Sequence, residues 1–144
     1  ILIQVQLLVS CYLNRLWKRV YLMSRGIIIV SHIHEVGIGV KRLMEEAAKD
    51  VPIAVAAGLE DGEVGTSFDA ILEAIEALPV ETIYAFYDLG SAKMNLEMAS
   101  EMSEKTIHIF DTALVESAYT AATLLQIDVE ESVIFEQLAA LKIK

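Results

Sequence analysis

Two residues have both the chemistry and the position to form a reactive site. His32 directly follows the apolar run Ile27-Ile28-Ile29-Val30-Ser31, and Asp88 directly follows Thr82-Ile83-Tyr84-Ala85-Phe86-Tyr87. Runs of this kind read as buried parallel strands. Such strands deliver the next residue to the carboxyl edge of the sheet, where open α/β folds place their chemistry. Imidazole changes charge near neutral pH, so a ring nitrogen of His32 can act as a nucleophile. A carboxylate on the other ring nitrogen would fix the tautomer and steady the cation formed on attack. Asp88 suits that task if strands one and three are neighbours and strand two lies on the far side of strand one. The same position also suits an ordinary polar loop histidine. His34 competes for the role, although a chain that turns after Ser31 sends it to solvent.

Two further junctions, Gly65-Thr66-Ser67 and Gly90-Ser91-Ala92, stand at expected helix starts, where free N–H groups and the helix dipole favour an anion such as phosphate. The chain has no GxxxxGK[ST], and Gly37-x-Gly39 lacks the third glycine of a dinucleotide fingerprint, which argues against nucleotide binding by this chain alone. No CxxC or Cys/His cluster suggests a metal, and no cofactor is expected.

The elements that must hold these residues alternate strand and helix with short connections, the pattern of an open parallel sheet covered on both faces. Strands are expected over 26–31, 52–57, 82–88 and 106–110. Helices are expected over 37–49, from Thr66 as N-cap to about 78, over 91–102, over 114–126 and over 128–142. In the first of these, Leu43, Met44, Ala47 and Ala48 form the inner stripe. In the second, Phe68, Ile71, Leu72 and Ile75 are buried, and Asp69 stands at the third position of a capping box. Met94, Met98 and Met102 recur every four residues and read as a core stripe. His108 reads as a packed strand residue, Tyr84 and Tyr87 as packing beside the sheet, and Glu45, Glu46, Glu130 and Glu131 as solvated helix charges.

At 144 residues the chain can bury a substantial core without staples, and its single cysteine, Cys11, cannot close an internal disulfide, which fits a reducing cytoplasm. Charge is divided unevenly. Residues 1–25 carry four bases and no acid, whereas residues 26–144 carry seven bases and all 21 acids, a net charge near −14. Such a body repels nucleic acid and suits a basic protein partner. Residues 1–22 differ from the rest, with an apolar part too short for a membrane span. Met23 opens Met-Ser-Arg-Gly just before strand one. The expectation is therefore an N-terminal extension over 1–22 and a folded domain over 23–144. The alternative is an amphipathic helix that uses Leu13, Leu16, Trp17 and Val20 against the body or a partner.

Three segments occur in a telling order: Ile29-Val30-Ser31-His32, Ala57-Gly58-Leu59-Glu60-Asp61-Gly62-Glu63-Val64-Gly65-Thr66-Ser67-Phe68-Asp69, and Asp88-Leu89-Gly90-Ser91-Ala92. A fourth, Leu114-Val115-Glu116-Ser117-Ala118-Tyr119-Thr120-Ala121-Ala122, extends the match to about residues 26–141. In register, they resemble the mannose-type EIIA family of the sugar phosphotransferase system, and within it the phosphotransferase subunits of PEP-dependent dihydroxyacetone kinases. Ile33-His34, Ala113 and Ser117 depart from that pattern. The resemblance implies a homodimer and a four-stranded parallel sheet of order 2-1-3-4. It also implies a phosphohistidine at His32, an orienting carboxylate at Asp88 and phosphate contacts at Gly65, Thr66, Gly90 and Ser91. The implied donor is the histidine phosphocarrier protein HPr, and the implied acceptor is ADP on the kinase's nucleotide-binding subunit. A sugar-transporter EIIA passing phosphate to EIIB, a non-catalytic interaction module and a flavodoxin-like cofactor binder are the alternatives.

Overall fold

The apolar run after Arg25 forms the most deeply buried element of the chain. In the computed structural model, which describes residues 1–22 and 24–144 with the side chains of residues 18–22 left aside, Ile27, Ile28, Ile29 and Val30 are wholly buried. A strand apolar on both faces needs cover on both sides, and the chain supplies it. After α1 (Leu2–Leu22) come β1 (Arg25–Ser31), α2 (His34–Ala47), β2 (Ile53–Ala57), α3 (Phe68–Ala77), β3 (Thr82–Tyr87), α4 (Gly90–Met102), β4 (Thr106–Phe110), α5 (Leu114–Gln126) and α6 (Glu131–Ala139). The four strands make one sheet of order β2-β1-β3-β4, with each neighbouring pair parallel. The expected fold, an open parallel sheet with helices on both faces, is the one observed.

Alternation along the strands divides the core in two. Ile27, Ile29, Tyr84 and Phe86 face α2, α5 and α6, where they meet Val40, Met44, Ala118, Ala122, Leu125 and Ile134. Ile28, Val30, Ile83 and Ala85 face α3 and α4, where they meet Ile71, Ile75, Ala92, Leu96 and Ala99. Each fully buried Ile or Leu contributes about 1.5–3 kcal/mol, so the two layers clamp β1 and β3 in place. Val30 pairs with Tyr87, which brings the residues just beyond, His32 and Asp88, to the same edge.

Several local expectations shift. Helix α2 starts at His34, not 37, and buries Gly37, Val40 and Met44, while Leu43 is 46% exposed. Its inner stripe is set by Gly37, where an added Cβ would come within 2.7 Å of the side chains of Ala57 and Val55. That close approach of α2 to β2 rotates Leu43 outward. Ser67, not Thr66, caps α3, its hydroxyl accepting from the Ala70 N–H at 3.2 Å. Helix α6 is shorter than 128–142, because Asp128 takes φ +58 in a turn anchored by an ion pair with Arg25 at 3.1 Å.

The methionine stripe of α4 is not core. Ala92, Leu96 and Ala99 face inward, which places Met94, Met98 and Met102 on the outer side at 66%, 55% and 69% exposure. Three small or slim inner residues let α4 lie close to the sheet, and a period of four then rotates the methionines to solvent. His108 is packed as expected, stacked on Tyr84 and edge-on to Phe135. Glu131 is more than a solvated charge, since it binds His108 Nε2 and accepts from the Tyr84 hydroxyl, both at 3.0 Å.

Residues 2–22 do form a helix, but Leu13, Leu16 and Trp17 are exposed, so these side chains do not dock on the body. The start expected at Met23, and the side chain of Val20, lie outside the described residues. Among the described residues, no helix is long and apolar enough to cross a membrane.

Gly37→Ala tests the closeness of α2 to β2. Overpacking should cost about 1–3 kcal/mol, outweighing the gain of about 0.8–1 kcal/mol in helix propensity. A lower urea midpoint is expected; a higher one would show that α2 can lift from the sheet freely.

Candidate active site

Chain direction alone would leave His32 as a loose loop residue, yet its backbone is fixed from both sides. Its carbonyl accepts from the Gly65 N–H at 2.9 Å, and the preceding Ser31 carbonyl accepts from the Gly58 N–H at 3.1 Å. Gly58 has φ +73, a conformation glycine adopts without strain, and it turns the chain from β2 into the 58–65 loop.

Asp88 holds the side chain. Its Oδ1 lies 2.8 Å from His32 Nδ1 and accepts from the Leu89 N–H at 2.7 Å. Its Oδ2 accepts from the Ser31 hydroxyl at 2.8 Å and from the His32 N–H at 2.9 Å. Burial works to raise the Asp88 pKa, but these hydrogen bonds from His32, Ser31 and Leu89 outweigh it and hold the carboxyl below its ordinary value. An ionised carboxylate only accepts, so Nδ1 must carry the ring proton. In the uncharged ring Nε2 keeps its lone pair in the ring plane, where Ser91 Oγ stands 2.6 Å away and can donate to it. The arrangement tethers one ring nitrogen and directs the other at the N-terminus of α4.

The other expected site residues divide. Gly90 and Ser91 form the first turn of α4, whose N–H groups no carbonyl inside the helix can reach. Gly65 spends its N–H on His32, so it positions the histidine. Thr66 accepts from Asn95 Nδ2 at 2.8 Å, tying the 58–65 loop to α4. His34 is exposed at the start of α2, away from these contacts. Among the described residues, no group of three or more His, Cys, Asp or Glu side chains could hold a metal.

Three supporting residues were not singled out from the sequence. Ser31 reaches Asp88, and its place as the last residue of a strand before a histidine was the available signal. Lys144 donates to the carbonyls of Tyr87 and Asp88 at 2.7 and 2.8 Å and lies 4.2 Å from the centre of the Tyr87 ring. Burial pushes its amine down, against the pull of Asp88 and Asp111. Nothing local in the sequence links a residue so distant in the chain to this edge. Asp111 accepts from Tyr87 Oη at 2.6 Å and pairs with Lys93 at 2.8 Å, bracing β3, β4 and α4 beside the site.

With the strand-end His32 and Asp88 brought together at the sheet's carboxyl edge, comparison with known families places the whole domain. The model for the family described as PTS system fructose IIA component, EIIA-man, matches residues 26–134, so the chain belongs to that family. Two relatives are similar over most of the chain. The PTS-dependent dihydroxyacetone kinase phosphotransferase subunit DhaM of Lactococcus lactis subsp. lactis strain IL1403 is 45% identical over 122 residues, covering 85% of this chain and 99% of the relative. The PEP-dependent dihydroxyacetone kinase 1 phosphoryl donor subunit DhaM of Listeria innocua serovar 6a is 46% identical over 119 residues, covering 83% and 96%. Among solved structures, the unknown-function protein EF1359 superposes with a TM-score of 0.74 at 27% identity, covering 84% of this chain and 97% of that one. Helix α1 lies outside the family match.

The Asp88 geometry has a pH signature. Its pKa is lowered on folding from an ordinary 3.8, so its contribution to stability is complete above about pH 4 and is lost as pH falls through the lower folded value. The gap in unfolding free energy between the intact chain and Asp88→Asn should therefore narrow as pH falls below about 4. A gap that does not change down to pH 3 would mean that the carboxylate charge contributes nothing.

Proposed function

We propose that this chain is a phosphohistidine carrier that takes a phosphoryl group from HPr onto His32 and passes it to ADP on the nucleotide-binding subunit of a dihydroxyacetone kinase. The observation that carries the reading is the clamped imidazole. Asp88 holds Nδ1–H, so Nε2 is the nitrogen that attacks. The new P–Nε2 bond forms as the donor's P–N bond breaks, and the electron pair of that bond leaves with the donor imidazole. The positive charge that develops on the His32 ring is balanced by Asp88, which keeps its own charge throughout.

The Ser91 hydroxyl, which satisfies Nε2 at rest, turns to the incoming phosphoryl oxygens. There it joins the N–H groups of Gly90 and Ser91 and the positive end of the α4 dipole. Thr66 stands on the opposite lip. In the return step an oxygen of the terminal phosphate of ADP attacks, the P–Nε2 bond breaks, and the imidazole leaves in its resting tautomer. Such transfer needs positioning and charge stabilisation and little other machinery. The relatives named as DhaM support dihydroxyacetone kinase as the destination. The family resemblance implies a homodimer, and the family match over residues 26–134 is consistent with residues 1–22 as an extension outside the EIIA-like domain.

Incubation with PEP, Enzyme I and HPr tests the reading directly. The intact chain and His34→Ala should take up phosphate, and His32→Ala should take up none. Asp88→Asn should be slowed by about 100-fold or more, the scale seen when a group that orients a catalytic histidine is lost. Phosphate uptake by His32→Ala, or none by the intact chain, would refute the carrier. Transfer to EIIB and not to ADP on the kinase subunit would assign the chain to sugar transport.

A further inference from the structure

The outer face of α4 is apolar without being core. Met94, Met98 and Met102 are more than half exposed, and so are two apolar residues next in the chain to residues of the site, Leu89 at 61% and Val64 at 67%. Leu89 adjoins Asp88, and Val64 adjoins Gly65, the residue that fixes the His32 carbonyl. The hydrogen bond between Asn95 and Thr66 joins the helix to the loop, so the elements that carry these side chains meet at the edge that holds the His32 ring, as a collar. Contiguous exposed apolar surface on a soluble domain marks an interaction site. Methionine suits one that forms and releases repeatedly, because its unbranched chain adapts to the surface opposite.

The charges around the collar decide what covers it. Glu97 and Glu101 flank the methionines on α4, and Glu60, Asp61 and Glu63 stand on the adjoining loop, all of them exposed. The only base among the first turns of α4, Lys93, is already paired with Asp111 and Glu97. A second copy of this chain would bring the same acids face to face, and an anionic lipid surface would be repelled by a body near −14. A basic protein is not. We propose that Val64, Leu89, Met94 and Met98, within their acidic rim, form the docking surface for the protein that donates the phosphoryl group to His32. That donor carries a small apolar face rimmed by Lys or Arg, with its phosphoryl group at the edge of that face. Apolar contact at the centre holds the two proteins together, while the acidic rim raises the rate of encounter without placing a carboxylate against the phosphate.

This inference rests on the carrier reading, and the test separates the two. Phosphorylated HPr is the protein donor, and phosphoramidate, a small phosphoryl donor that needs no docking surface, is used in parallel. In Met94→Gln/Met98→Gln, kcat/KM from HPr should fall by about tenfold or more, through KM, as expected when central apolar contacts of an interface are lost. The rate from phosphoramidate should be unchanged. Glu97→Lys/Glu101→Lys should slow transfer from HPr at low salt and flatten its salt dependence, again leaving phosphoramidate unaffected. Transfer from HPr to the methionine double variant at the wild-type rate would overturn the docking surface and leave the carrier intact. An intact chain that accepts phosphate from neither donor would overturn the carrier and the surface together.

Discussion

One carboxylate organises this molecule's working edge. Asp88 takes hydrogen bonds from the Ser31 hydroxyl, the His32 N–H, the His32 ring and the Leu89 N–H, and so ties the end of β1 to the start of α4. A buried carboxylate without donors would neutralise or destabilise the fold. With four donors it stays ionised, and its charge then determines where the proton sits on the imidazole. Tautomer, ring orientation and the direction of the nucleophilic lone pair all follow from that single group. The sheet order matters for the same reason, because β1 and β3 must be neighbours for the carboxylate to reach.

The molecule balances two electrostatic demands. The N-terminal turn of α4 faces the His32 ring through Ser91, whereas acids dominate the rest of the surface. Exposed acids stand on the 58–65 loop and along α4. Lys144, held by two backbone carbonyls and stacked on Tyr87, keeps a positive charge close to Asp88. The separation of acidic rim from N–H-lined centre is a property of the fold: the loop after β2 and the helix after β3 arrive at the same edge from opposite sides.

How much of this is legible in sequence depends on the physical signal each residue carries. β1 and β3 are long apolar runs bounded by turn residues, and their period needs no tertiary information, so both the sheet and the strand-end positions of His32 and Asp88 are readable. Helix faces are less so. Leu43 and the α4 methionines are apolar at helical spacing, but which stripe turns inward depends on which residues are small enough to approach the sheet, Gly37 in α2 and the alanines in α4. Hydropathy cannot rank a glycine above a leucine as the inner residue. Lys144 is beyond local reach altogether, since its partners lie more than fifty positions away. Glu131, an ordinary helix acid by composition, gains its contacts only because β4 brings His108 beneath α6.

In the proposed carrier, Asp88 leaves Nε2, and not Nδ1, as the atom that bears the phosphoryl group. Nitrogen-15 NMR of selectively labelled histidine, recorded on the protein before and after phosphorylation, reads this directly. The account predicts a resting His32 protonated at Nδ1 and, in the phosphorylated form, phosphorus coupling to Nε2 with the Nδ1 proton retained. Coupling to Nδ1, or a resting ring protonated at Nε2, would contradict it.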